Sequence, residues 1–174
     1  MNSEEENIID AIEREARRIE EDCTYSSKSH YNAAAYWSRI HLWIGVPTAM
    51  LAAIASGTAF GDQGTIAGCI GIIVTALTAL STFLDPSGKN NAHRSAGNQY
   101  LALKNITRIF RELELPGGNQ EELKKRIKEL AAQRDNLNEA SPRIPESSFA
   151  KAKKGIEAGE ATYAVDERTY GEES

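Results

Sequence analysis

IHLWIGVPTAMLAAIASGTAF, Ile40 to Phe60, and GTIAGCIGIIVTALTALSTFL, Gly64 to Leu84, decide how the rest of the chain is read. Each run is 21 residues long and neither carries a formal charge. A helix of ~20 apolar residues matches the hydrocarbon thickness of a bilayer. Only Gly61, Asp62 and Gln63 separate the runs, so the two helices must be antiparallel neighbours. The competing reading is a pair of buried core helices. A helix that is apolar all round needs lipid or a large protein about it. The remaining chain holds 44 of the 45 charged side chains, too polar a shell to enclose two such helices. The fold expected is therefore an all-α membrane protein, with a transmembrane helical hairpin over 40–84 and amphipathic cytosolic helices on both sides.

Bulk properties narrow the function classes. A net charge of −5 lacks the basic excess of a dedicated nucleic-acid binder, so no nucleic-acid partner is expected. Cys23 and Cys69 fit neither a disulfide framework nor a metal site, and no metal or cofactor is predicted. The opening MNSEEENIIDAIERE is acidic and amphipathic, unlike a cleavable signal peptide. Lys28 and Arg39 precede the first run, and Lys89, Arg94 and Lys104 follow the second, while the link has no cation. The positive-inside rule then puts both termini in the cytoplasm and Asp62 outside.

Residues 1–39 read as an N-terminal helix and a juxtamembrane lead-in. Over 3–23, Ser3 is the expected N-cap, followed by Glu4, Glu5 and Glu6. Ile8, Ile12, Ala16, Ile19 and Cys23 form one apolar stripe on that helix. Tyr31, Tyr36, Trp37 and Trp43 crowd the start of the first run; Tyr36, Trp37 and Trp43 form a candidate interfacial belt. Pro47 is a candidate hinge, or simply a proline tolerated in a membrane helix.

The second run is patterned. Gly64, Gly68, Gly71, Thr75, Thr78 and Thr82 step by alternating fours and threes, and Ile66, Ile70, Ile73, Leu77, Leu80 and Leu84 repeat those steps on another side. The first run echoes the small stripe with Gly45, Thr48, Ala52, Ala55 and Ala59. Small residues at this spacing let helices approach closely, which makes Gly64, Gly68, Gly71, Ala52 and Ala55 candidate packing positions. The sharper reading has Thr75, Thr78 and Thr82 lining a pore, with Asp62 at its outer mouth. Two helices cannot enclose a pore, so this requires several copies.

Residues 85–165 read as a cytosolic helical region and 166–174 as a flexible tail. Asp85-Pro86 should end the second apolar helix. A helix is expected from about Asn91 to Leu113, with a seam of Ala92, Ala96, Gln99, Leu103, Ile106, Phe110 and Leu113. His93 reads as packed or at headgroup level rather than as a ligand or base, with pH sensing open to it. After the Leu115–Gly118 turn, Asn119 and Glu122 resemble a capping box for a helix carrying Leu123, Ile127, Leu130 and Leu137, with Arg134 breaking the seam. Beyond the Pro142/Pro145 break, a further helix is expected over Glu146 to about Tyr163, through Phe149, Ala152 and Ile156. Lys151, Lys153 and Lys154 read as a solvated basic face, with anionic lipid as the alternative.

These features in this order resemble the SMODS and SLOG-associating two-transmembrane effector family, abbreviated SLATT. The resemblance rests on Tyr31 and Trp37, then Trp43, Gly45 and Pro47, the tight link, Asp85-Pro86, and His93 with Tyr100 and Leu103. It continues over Asn138 to Asp166, with Pro142, Ile144, Pro145, Phe149, Ile156, Gly159 and Tyr163. It implies an effector of a bacterial anti-phage or conflict system, in which a nucleotide-signalling partner triggers breach of the inner membrane. It supplies no catalytic residues, and no nucleophile–base constellation is visible, so an enzyme is not expected. The partners implied on this reading are the bilayer, further copies of the chain and a nucleotide-signalling protein. The alternative is a non-conducting membrane scaffold that recruits a cytosolic partner.

Overall fold

The computed structural model describes residues 3–61 and 63–163, with side chains from Glu6 onward. The Ser3 cap and its first two glutamates, the Asp62 mouth and the 166–174 tail thus lie outside the described side chains. The described chain is all-α: α1 (Ser3–Phe60), α2 (Gly64–Leu84), α3 (Pro86–Ile109), a π-helical turn (Phe110–Glu114), α4 (Gln120–Ala140) and α5 (Glu146–Glu157). It divides into two compact units. One is Ala34–Ala92, and the other contains the described residues of Met1–Ala33 and His93–Ser174.

The first unit holds the apolar runs. α1 carries Pro47 inside it and does not break there. A proline leaves the carbonyl four residues back without its helical donor, and here that is Trp43. α2 ends at Asp85, which adopts the left-handed conformation at φ 41° and returns its N–H to the Ser81 carbonyl 3.0 Å away. Aspartate tolerates this region better than most residues. Its carboxylate Oδ1 then accepts from the Gly88 N–H at 2.9 Å, and its carbonyl accepts from the Lys89 N–H at 3.1 Å. One residue thus closes α2 and caps α3. Proline suits the first helical position because its missing N–H is not needed there. α3 therefore begins at Pro86, five residues before the expected Asn91.

The second unit has a conventional core. The expected stripe on α1 is buried through Ile12, Ala16, Ile19 and Cys23, with Ile8 packed beside it. Tyr100, Leu103 and Phe110 meet it, as do Leu123, Ile127 and Leu130 of α4. Leu137 is partly buried against the same cluster. Asn119 caps α4 by accepting from the N–H groups of Glu121 and Glu122. Arg134, the break in the α4 seam, reaches Glu15 and Asp22 on α1.

α1 is one helix from Ser3 to Phe60, the juxtamembrane lead-in included, and two expectations further along are corrected. Its buried face continues past the apolar stripe through Ser27, His30 and Ala34, so polarity changes while the helical period does not. The predicted α3 seam is buried at Ala96 and Leu103, and at Phe110 in the π turn, but His93, Gly97, Tyr100 and Thr107 are buried beside it. Ala92 and Gln99 are exposed, as are Ile106 and Leu113. The π turn accounts for the end of that seam. Its Leu115 N–H bonds the Phe110 carbonyl at 2.9 Å, five residues back, so Leu115 rather than Leu113 returns to the core. Finally, α5 stops at Glu157 rather than Tyr163, because the chain turns through Gly159 at φ 87°. Tyr163 then lies near α3, with Lys104 and Arg108 each about 5 Å from its ring centre.

Candidate functional site

Two features stand apart from ordinary packing: the surface of the apolar helical pair, and a buried histidine pair in the other unit.

Both apolar helices are long enough and apolar enough to cross a membrane. The most apolar 18-residue stretch has a mean hydropathy of 1.5 in the first and 2.0 in the second, and none of either is buried. Trp43 is 79% exposed, Phe60 94% and Phe83 88%. Leu42, Val46, Met50, Ile54, Ile66, Ile72 and Ile73 are exposed too. Core helices of a soluble domain would hide such side chains.

The less exposed positions mark where each helix is covered within the unit. On α1 they include Ile44, Pro47, Thr48, Leu51, Ala52, Ala55 and Thr58, and on α2 Ala67, Ile70, Gly71, Val74, Leu77, Ser81 and Leu84. The covered side of α2 is thus largely aliphatic. Gly64 and Gly68 are exposed, and a Cβ built on Gly64, Gly68 or Gly71 would meet nothing within 4 Å. Among the described residues no neighbouring helix comes within 4 Å of a Cβ at these positions, although Gly71 itself is half-buried. Thr75, Thr78 and Thr82 are exposed beside a shallow groove edged by Val74, Ala79 and Phe83. Their hydroxyls donate to the carbonyls of Gly71, Val74 and Thr78 at 2.8–2.9 Å. Of the aromatic belt, Tyr36 and Trp43 are exposed, while Trp37 lies edge-on to Tyr36 with the Lys89 ammonium 4.3 Å from its ring centre.

The histidine pair joins α1 to α3. His30 and His93 are 1% and 4% exposed, and their Nδ1 atoms stand 2.9 Å apart. Such a contact needs a proton on one Nδ1 and a lone pair on the other. Tyr100 stacks on His30, with centroids 5.5 Å apart and planes 16° from parallel, and donates its hydroxyl to Asn138 Oδ1 at 2.8 Å. Burial lowers the proton affinity of both imidazoles, and the neighbouring His93 lowers that of His30 further, to a pKa of about 4. Gly97 lets the helices come this close: a Cβ there would stand 3.1 Å from the Tyr31 ring and 3.3 Å from the Ser27 carbonyl oxygen. Among the described residues no cluster of three or more His, Cys, Asp or Glu side chains accompanies the pair, short of the four ligands a structural zinc site takes.

His93 is packed, but its partner escaped the sequence reading. The available signal was the α1 stripe itself: continued from Cys23 at helical steps, it reaches Ser27 and His30. No protein-family model, curated protein or solved structure matches the chain.

Proposed function

We propose that the chain is a two-helix membrane protein whose apolar hairpin spans a bacterial inner membrane, with both termini in the cytoplasm. It acts as an oligomeric effector that permeabilises the membrane when triggered by a nucleotide-signalling partner. The observation carrying the membrane part is the complete lack of burial of both apolar stretches. Water would penalise that surface by roughly 25 cal/mol per Å² of apolar area, whereas lipid would not. Assembly is supported by the uncovered glycine–threonine side of α2, which is open to a second copy. The anti-phage role and the signalling partner rest on the resemblance to the SLATT family.

The test is a planar-bilayer recording of the purified oligomer, alone and with cell extract from phage-challenged bacteria. Cation or anion current in either condition supports the effector. Absence of current in both, with membrane insertion verified, leaves the scaffold reading. One observation favours that second reading: Ile106, Ile109 and Leu113 project from α3 and the π turn, an apolar stripe fit for a recruited protein.

A further inference from the structure

We propose that the His30–His93 contact is a two-proton latch that holds α1 to α3 at neutral pH and releases them on acidification. The latch goes beyond the effector reading and stands whether or not the hairpin conducts.

The argument begins with the protons. In the neutral pair one ring carries its hydrogen on Nδ1 and donates it; the other carries its hydrogen on Nε2 and accepts through the Nδ1 lone pair. A first proton from solvent can bind Nε2 of the donor ring. That ring becomes an imidazolium and still donates its Nδ1–H, so the contact survives. A second proton can only take the lone pair of the accepting Nδ1. Two N–H groups and two positive charges then face each other across 2.9 Å, and the contact cannot persist.

The surroundings allow no easy escape. Tyr100 stacks on His30, and the charge acting on His30 is that of His93. Along the surrounding helices, Lys28 of α1 is paired with Glu160, Arg94 of α3 is exposed, and Arg134 of α4 is paired with Asp135, Glu15 and Asp22. On α5, which meets α1 where Asn32 donates to the Ser148 carbonyl, Lys151 is exposed. None of these offers either ring a carboxylate that would stabilise its cation. The close crossing at Gly97, one turn along α3, leaves the rings little room to part unless the helices part as well. Ser29, beside His30, has a buried hydroxyl with no hydrogen-bond partner among the described residues, so this turn already carries a cost.

The sign follows from burial. Both imidazoles bind protons less readily in the fold than in the unfolded chain. The contribution of the pair is therefore fully present above the ordinary value of 6.5 and is lost as pH falls below it, down to about 4 for His30. A one-proton event changes the open population by about tenfold per pH unit, and a two-proton event by up to about a hundredfold.

The experiment uses the full chain in lipid nanodiscs. Amide hydrogen exchange, corrected for its intrinsic pH dependence, is followed over 27–33 and 93–98 between pH 7.5 and 4.5. The expected result is opening that steepens beyond tenfold per pH unit in the wild type. In His93→Asn the steepness should fall to tenfold or less, because the amide oxygen can accept from a neutral or a charged His30. Equal steepness in both proteins, or no opening in the wild type, overturns the latch. Should His93→Asn not fold, imidazole nitrogen spectra of the wild type decide. Two coupled steps below 6.5, starting from one Nδ1–H and one Nε2–H tautomer, support it, and independent titration of either ring near 6.5 overturns it.

Discussion

Arg111, in the π turn, grips Glu20 of α1 across 91 residues of sequence: its Nε lies 2.7 Å from Oε1 and its Nη2 3.3 Å from Oε2. Both side chains are mostly buried, at 17% and 15% exposure. The Glu20 hydrogen bond is the largest influence raising the proton affinity of Arg111, ahead of the opposing cost of burial. A two-pronged arginine–carboxylate pair also fixes geometry, so this contact sets where the π turn sits on α1.

Removing one partner should therefore cost more than removing both. Glu20→Ala should destabilise the helical unit by roughly 2–4 kcal/mol, by leaving a mostly buried guanidinium with the half-exposed Glu112 as its remaining hydrogen-bonded carboxylate. Glu20→Leu with Arg111→Met should recover most of that loss. Urea unfolding of the detergent-solubilised protein, followed by helical circular dichroism, measures both. Equal losses in the single and double variants would assign the effect to packing alone.

The residue shared by α2 and α3 predicts a second pair of outcomes. Asp85→Ala removes a capping carboxylate and forces alanine into a left-handed conformation, for a loss of about 1–2 kcal/mol. Asp85→Asn should lose much less, since asparagine caps and tolerates that conformation. Gly88→Ala should resemble Asp85→Ala, because a Cβ there would run into the Asp85 carboxylate. The readout is the thermal midpoint of each variant in the same detergent.

Gly68→Leu or Gly71→Leu should leave the folded monomer intact, since nothing lies within 4 Å of either position, and should disrupt assembly. Ile70→Leu should do neither. Crosslinking and native gels read assembly, while circular dichroism reads the fold. A normal oligomer in both glycine variants would remove the glycine side of α2 from the interface.

Cys23 offers a reporter of core opening. Burial, with help from Asp22, pushes its thiol up to about 12, so the reactive thiolate is scarce at pH 8. Relative to an ordinary thiol near 8.5, modification should slow by about a thousandfold from thiolate fraction alone. Labelling of a Cys69→Ser protein in native buffer and in urea gives the comparison. Equal rates in the two would mean that the α1–α4 packing around Cys23 opens freely.

Legibility in the sequence tracked apolar periodicity. The two runs are apolar all round over a bilayer's thickness, and the Ile12–Cys23 stripe and the Leu123–Leu130 seam are spaced so that only one helical face can be buried. What escaped was held by polar groups or by a single backbone irregularity. His30, Tyr100 and Thr107 occupy core positions that a search for apolar residues passes over. The π turn shifts the end of the α3 seam by its extra residue, which no periodic count anticipates. Proline at position 86 looked like a terminator and proved also to be an initiator, because it is favourable at a first helical position. The glycine–threonine pattern on α2 was visible, but among the described residues nothing lies within 4 Å of a Cβ on its glycines.

The single-residue joint at Asp85 also governs where foreign sequence can be added. With α2 ending at Leu84 and α3 starting at Pro86, there is no spare residue, and an insertion would uncouple two helix ends at once. Pro116 and Gly117 are the opposite: exposed, outside any helix and ahead of the Asn119 cap, with Gly117 at φ 93°. A fluorescent reporter or affinity tag belongs there, where the chain has slack and the added length disturbs neither the apolar pair nor the latch.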